Sequence, residues 1–434
     1  MQTLWHLPLE EYNERYTGQL RHWMGAAFAK AKEALTNNSG QDEFAVETVY
    51  GERGAGSIKT GVVLDAGQRV RWATEQVKRL TRVIESGTLK SGDHIHLDDF
   101  WHPGIDGLWY ALSLHDVNVT VSAFCWAQSV DKHDFTHQMG WWMRDIERSH
   151  GKRIHQVFVA DDQLNELLVA GGLPAQNVYT VGLPFDSRSI LDVHYGLGQR
   201  PFWLPEQKAR KVVFSSRLDH EKQPLQFCQM AQRFKETGDS TEFVICSGSS
   251  EIRSNDPWTA KTIQKLATAG VITLKLGLTK NQYYEELASA RVQFNSALQD
   301  WVSFTLLEAI TFGCWPIYPM YRSFPAALWH EPAFMYRPND VDDACEMVKF
   351  ALDEDRFYTD EAIKARQNLI LYHHDNAIGR MIFQMPLGQS GARVDITDNK
   401  AYPLPGWKAW RQKFAQGSSQ PPAPPPADST VPAT

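Results

Sequence analysis

Paired cysteines are missing from this chain. Its five cysteines, Cys125, Cys228, Cys246, Cys314 and Cys345, lie far apart and form no C-x-x-C pair. That argues against a disulfide framework and a zinc site, and for a reducing compartment. Long apolar runs are missing as well: none reaches the length of a membrane span, and the N-terminus has no basic region followed by an apolar core. The expectation is a cytoplasmic protein with no membrane span. No His/Cys/Asp cluster with metal-ligand spacing occurs, so no metal is expected. The Gly-rich stretch Gly51-Glu-Arg-Gly54-Ala-Gly56 is not followed by G-K-[ST], which makes it a poor phosphate loop and a better mobile lid. Positive charge is in deficit, with 44 Lys+Arg against 51 Asp+Glu and a net charge of −7. An acidic chain is a poor starting point for nucleic-acid binding.

What is present is enough chain for two α/β domains and a tail: 434 residues, 43% hydrophobic and 22% charged. Charge is uneven along it. Residues 51–90 hold eight basic residues (Arg53, Lys59, Arg69, Arg71, Lys78, Arg79, Arg82, Lys90) against four acids. A solvated basic helix face explains this run more simply than a polyanion site does. The last stretch, 417–434, is rich in Pro, Ala and Ser, carries one charge, and reads as disordered.

Strand and helix patterns alternate along 1–186. A strand at His94–Leu97 leads into Asp98-Asp99-Phe100-Trp101-His102, and a strand over 117–124 leads into Cys125-Trp126 and on to His133. Acids, aromatics and histidines at the ends of parallel strands are where doubly wound sheets place ligands. Each Trp alone reads as core; together, Asp99, Trp101, His102, Trp126 and His133 make a candidate acceptor pocket, since sugars and bases stack on aromatic faces. After Gly182-Leu-Pro-Phe-Asp186 the segment 187–210 has little periodicity and reads as a linker.

The alternation restarts with a strand over 211–215 running into Ser216-Arg217-Leu218-Asp219-His220-Glu221-Lys222. The R-x-x-x-x-K spacing of Arg217 and Lys222 across this strand-to-helix loop is common and uninformative by itself. Further on, an apolar strand ends near Phe294, a loop carries Asp300, and a helix brings in Glu308 before Gly313 stops it. The residues Trp301 to Phe304 offer backbone N–H groups at a helix N-terminus, where anions are favoured.

Asp300-Trp-Val-Ser-Phe-Thr-Leu-Leu-Glu308-Ala resembles the acidic pair, with seven residues between, of retaining GT-B glycosyltransferases, the family of sucrose synthase and many bacterial hexosyltransferases. Its usual form is E-G-F-G-x-x-x-x-E-A; here the first acid is Asp, and Trp301 and Ser303 stand where glycines are usual. Arg217 and Lys222 resemble the G-R-L-x-x-x-K phosphate grip of the same family, and Gly182–Asp186 is similar to its interdomain turn. Relatives often carry a His where Trp126 stands. The resemblance covers most of 1–416. It implies an α/β chain with the GT-B fold, two Rossmann-like domains whose parallel sheets face across a cleft: an acceptor-side domain over 1–190 with 390–416 crossing back, and a nucleotide-sugar domain over 191–389.

By the same resemblance, Arg217 and Lys222 hold the diphosphate, Asp300 orients the sugar and Glu308 holds the ribose. The remaining donor contacts fall at Ser216, Ser247, Gly248, Leu278, Trp301, Val302, Ser303, Phe304 and Thr305. The implied reaction is hexosyl transfer from a nucleotide-diphosphate sugar, foremost a UDP-sugar, with no cofactor and no metal. Glu14-Arg-Tyr-Thr17 and Asp99-Phe-Trp-His-Pro-Gly-Ile105 look most like glycosyltransferases of tailed phages. That favours a hydroxymethylated base in phage DNA as acceptor, inside the host cytoplasm. A surface glycan or small-molecule acceptor, and a non-catalytic sugar-nucleotide binding module, stay open as alternatives.

Overall fold

The computed structural model describes residues 1–11, 16–39, 44–52, 66–195, 208–373 and 376–388. They form two compact α/β units, one of residues 1–186 with 373–388, the other of residues 187–372.

Six strands build the first sheet: β1 (Gln2–Leu7), β2 (Phe44–Thr48), β3 (His94–Leu97), β4 (Thr120–Phe124), β5 (Gln156–Val159) and β6 (Val178–Thr180). They are parallel throughout, in the order β2-β1-β3-β4-β5-β6. Strand order reverses between β1 and β3, so the loops leaving these strands, with Glu10 on one and Asp98 and Asp99 on the other, flank a topological switch point. Parallel strands covered on both faces are usually all apolar; here histidines interrupt them. His6 Nε2 meets Asp98 Oδ1 at 2.8 Å, and His94 bridges the hydroxyls of Thr120 (2.7 Å) and Ser122 (2.8 Å). Each buried ring is thus given hydrogen-bond partners, without which its burial would be costly.

The helix Ala66–Glu85 buries Trp72, Gln76, Leu80 and Ile84, one residue per turn. Trp72 Nε1 and Gln76 Nε2 both donate to the carbonyl of Pro8, at 2.9 and 3.0 Å, and Gln76 also donates to that of Val49. Gly51 lets this helix approach: a Cβ there would lie 2.3 Å from the Trp72 ring. The part of the basic run from Arg69 to Arg82 thus lies on a helix tied down by its own core. Arg69 is only 5% exposed and is held by Glu10 and Asp99, each at 2.8 Å. Most of the Gly-rich stretch, with Arg53 and Lys59, lies outside the described residues.

One element differs from the sequence reading. The expected linker 187–210 begins with a helix, Ser187–Tyr195, anchored by buried Ile190 and Leu191; it is too short for its apolar spacing to register. Two further helices follow near the end of the described residues, Asp360–His373 and Asn376–Gln384. The second belongs to the first unit, where Ala377, Ile378, Met381 and Ile382 are buried. It is fixed by Gln156 Nε2 donating to the carbonyl of Gln384 at 3.0 Å. The segment 390–416 expected to cross back, and the 417–434 tail, lie outside the described residues.

The second sheet comprises β7 (Ala209–Phe214), β8 (Glu242–Cys246), β9 (Thr273–Lys275), β10 (Ala290–Phe294), β11 (Trp315–Pro319) and β12 (Met335–Tyr336). It too is parallel, in the order β12-β11-β10-β7-β8-β9. Read from β9, this is the 3-2-1-4-5-6 order of a dinucleotide-binding sheet, with its switch point between β7 and β10. Among the described residues no helix is long and apolar enough to cross a membrane.

Burial, aided for His94 by His155 and for His102 by Arg69, pushes both of these histidines down to about 3. Both are neutral in the folded chain at pH 7, and the unfolded chain takes up their protons first. Their contribution is complete above the unfolded value of about 6.5 and is lost as pH falls toward 3, at about 1.4 kcal/mol per pH unit for each. Calorimetric melting of the full chain between pH 7 and 4 should show this loss, and His102→Gln should make the dependence shallower. An unchanged slope in that variant would mean His102 is not a buried neutral imidazole.

Candidate functional site

Arg217 and Lys222 lie on the loop after β7, and Asp300 on the loop after β10, so the two segments flanking the switch point of the second sheet carry three of the four expected catalytic residues. Hydrogen bonds sew these loops together. Leu298 N donates to the carbonyl of Glu221 at 2.7 Å, Ser296 Oγ to the carbonyls of Lys222 and Gln223 at 3.0 Å, and Asn295 Nδ2 to Ser216 Oγ at 3.3 Å. Gln223 adopts φ 47° ahead of Pro224, which opens the next helix at its first position. The turn carrying Lys222 is thereby closed tightly against β7.

Lys222 is 6% exposed. Its ammonium donates to the carbonyl of Gln299, to Gln299 Oε1 at 3.3 Å, and stands 3.3 Å from Asp300 Oδ2. A buried ammonium is tolerable only with such partners. The structure thus joins the expected phosphate grip directly to the expected sugar-orienting acid. Arg217 is more open, with 46% of its side chain exposed, and its fork rests on Asp219 (2.9 Å) and Glu221 (2.8 Å). Two held terminal nitrogens fix the guanidinium plane, and its exposure leaves room for an anion.

The stretch 301–305 is built by constraint. Val302 has φ 56°, rare for a β-branched residue. Its N–H donates to Ser323 Oγ at 2.8 Å, which holds the turn. The two positions where glycine is usual in the resembling motif are thus occupied by larger side chains, and the left-handed conformation falls on the residue between them. Trp301 packs under the guanidinium of Arg322, 4.7 Å from its ring centroid. The Trp301 Nε1–H is buried with no acceptor among the described residues. Ser303 is the N-cap of the helix Phe304–Thr311 but makes no side-chain bond to the helix amides. Its hydroxyl pairs with that of Thr305 at 2.8 Å, and Thr305 also meets the Tyr318 hydroxyl at 3.2 Å.

Glu308 is 4% exposed. Its Oε1 accepts from Lys280 Nζ at 2.6 Å and Tyr284 OH at 3.2 Å, both on the helix Lys280–Ser289. Sequence reasoning passed over Lys280, because a lone lysine at the start of a helix carries no spacing signal. Ser247 and Gly248 follow β8, and Leu278 follows β9. Leu278 N donates to the carbonyl of Ser247 at 3.1 Å, and a Cβ on Gly248 would lie 3.6 Å from the carbonyl of Leu278. These three therefore share one patch beside the switch point.

The acceptor candidates all belong to the first unit. Asp99 accepts from Arg69 at 2.8 Å and from Trp101 N at 3.0 Å; burial raises its carboxyl, against the pull of Arg69. His102 is 4% exposed and bonded to Gln76 at 3.0 Å. Trp101 Nε1 donates to Glu147 at 3.0 Å, and Ser129 caps the same carboxylate through its N–H (2.7 Å) and hydroxyl (2.6 Å). Trp126 donates to the carbonyl of Asp98 at 2.5 Å and packs against Phe124 and Tyr16. His133 sits on a turn where its N–H meets Asp131 Oδ1 at 3.0 Å. Asp99 and Trp101 thus share a network built on the ion set Glu10–Arg69–Asp99, with Arg69 also reaching the carbonyl of Trp101 at 3.4 Å, while His102 and Trp126 are held separately by Gln76 and by the carbonyl of Asp98. Among the described residues no three His, Cys, Asp or Glu side chains gather into a metal-ligating group.

No family model matches the chain, and no curated protein sequence does either. Solved structures do. Sucrose-phosphate synthase from Thermosynechococcus elongatus is similar at TM-score 0.56 and 14% identity, covering 87% of this chain and 96% of that one. HepE of Anabaena, in complex with UDP and glucose, is similar at TM-score 0.57 and 11% identity, covering 88% and 98%. A glycosyltransferase of Rickettsia africae is similar at TM-score 0.55 and 10% identity, covering 88% and 96%. The chain has the GT-B fold of these proteins, two Rossmann-like units each built on a six-stranded parallel sheet.

Proposed function

We propose that this protein is a retaining glycosyltransferase that moves a hexose from a UDP-sugar to an acceptor hydroxyl. The observation that carries the reading is the Lys222–Asp300 pair at the switch point of the second sheet, with Arg217 on the same loop as Lys222. The complex of HepE with UDP and glucose supports the choice of donor.

In this reading Arg217, Lys222 and the backbone amides of residues 301–304 bind the diphosphate, Glu308 the ribose, and Asp300 the sugar hydroxyls. Ser247, Gly248 and Leu278 frame the base. Cleavage of the anomeric C–O bond sends its electron pair to the diphosphate while the ring gains oxocarbenium character. The two fixed cations stabilise the charge that develops on the leaving group, the main catalytic term in such a site. The acceptor oxygen bonds the anomeric carbon on the face the diphosphate leaves, and its proton passes to a phosphate oxygen.

For the acceptor, a carbohydrate or small-molecule hydroxyl is favoured over a DNA base. Three of the eight cations of the basic run 51–90 are already paired: Arg69 is internal, and Lys78 and Arg79 both bind Glu75 at the surface, at 3.2 and 3.1 Å. Incubation with UDP-hexoses and either hydroxymethylated DNA or a glycan panel, read by product mass, should give transfer to glycan hydroxyls and none to nucleosides. Hexosylated nucleosides would restore the DNA reading.

Arg217→Ala and Lys222→Ala should each lower donor turnover by about 10²–10³-fold, the scale of losing one preorganised charge donor. Near-normal donor hydrolysis in both would refute the site. Since these cations supply the charge a metal supplies elsewhere, turnover should persist in excess EDTA. Loss in EDTA with rescue by manganese would contradict this.

A further inference from the structure

Glu308 is a nearly buried carboxylate that must reach a ligand, and something must hold it in place. On the reading that it binds the donor ribose, we propose that Lys280 is the positioning residue that makes this site select ribonucleotide over 2′-deoxyribonucleotide donors. The Lys280 ammonium lies 2.6 Å from Oε1 of Glu308, and the Tyr284 hydroxyl lies 3.2 Å from the same oxygen. Oε2 accepts no hydrogen bond from the described residues. One oxygen is therefore fixed, and the other is left to accept from a ribose hydroxyl.

Several features make this arrangement a device rather than a chance surface pair. Glu308 has 5% of its side chain exposed, so its charge needs a partner in the empty protein. Lys280 has 27% exposed, at the mouth of the pair rather than beneath it. The ammonium also lies 5.5 Å from the ring centroids of both Tyr283 and Tyr284, which restricts where the long side chain can go. Tyr283 in turn donates to Ser215 Oγ at 3.1 Å, on the strand-to-loop junction that leads to Arg217. Helix position is set by a capping box in which Thr279 and Gln282 satisfy each other's backbone, so Lys280 starts from a rigid first turn.

A carboxylate pinned through one oxygen meets a 2′-hydroxyl with little reorganisation. A 2′-deoxyribose leaves that oxygen desolvated and unpaired, which sites built to bond a hydroxyl reject strongly. Lys280 makes this discrimination sharp by preventing Glu308 from swinging toward water. It acts through Glu308 and touches no reacting atom.

The test uses the full chain, with UDP and 2′-deoxyUDP binding measured by calorimetry and UDP-glucose hydrolysis measured in parallel. The wild type should favour UDP over 2′-deoxyUDP by about tenfold or more. In Lys280→Met the UDP Kd and the UDP-glucose KM should rise about tenfold with kcat within about threefold, and the preference for the ribonucleotide should collapse. Lys280→Arg should restore both affinity and preference. Equal weakening of the two nucleotides in Lys280→Met would overturn the proposal, since a merely structural lysine acts on both alike. So would tighter UDP binding, which would make Lys280 a competitor for Glu308. If the wild type binds neither nucleotide, the donor reading itself fails.

Discussion

A buried ammonium on a loop between parallel strands is the constraint on which the second unit depends. Lys222 is nearly enclosed, and its charge is tolerated because Gln299 and Asp300 come across from the loop after β10 to meet it. That requirement brings together the two loops where the strand order of the sheet reverses. The bonds from Leu298 and Ser296 back to the residues around Lys222 keep them there. Removing the acid or the carbonyls would leave an uncompensated cation, so loop geometry and charge balance are a single requirement. On the proposed reading, a site formed this way is preorganised for the donor's diphosphate before any ligand arrives.

The first unit applies the same physics to a different end. At its own switch point, Arg69 is drawn inward by Glu10 and Asp99. Burial lowers its affinity for a proton, the two carboxylates Asp99 and Glu10 together raise it by more, and the net shift is upward. The ion set ties together the loops that leave β1 and β3 and reaches the carbonyl of Trp101. It also keeps Arg69 from serving as a surface cation, which is why the basic run 51–90 cannot be read as a simple charged face.

Much of the second unit was legible in the sequence because its charged residues sit at fixed offsets from strand ends. Arg217 and Lys222 follow β7, and Asp300 and Glu308 straddle the start of a helix. The resemblance of both stretches to motifs of a known family brought those four to notice, since such spacings alone are common. Lys280 escaped because its partner is 28 positions away and only the fold brings them together. Arg69 was misjudged for the same reason: its partners are 59 and 30 positions distant. The helix Ser187–Tyr195 was hidden by its length, since nine residues carry too few apolar positions to set a period. Local chemistry is written in local sequence, and ion pairs across loops are not.

The most direct test of the account is a crystal structure of the full chain with UDP bound. The account predicts the diphosphate within hydrogen-bond distance of Arg217 and Lys222, the ribose on Glu308, and the base beside Gly248 and Leu278. UDP bound away from the loops after β7 and β10, or a diphosphate that touches neither Arg217 nor Lys222, would contradict it.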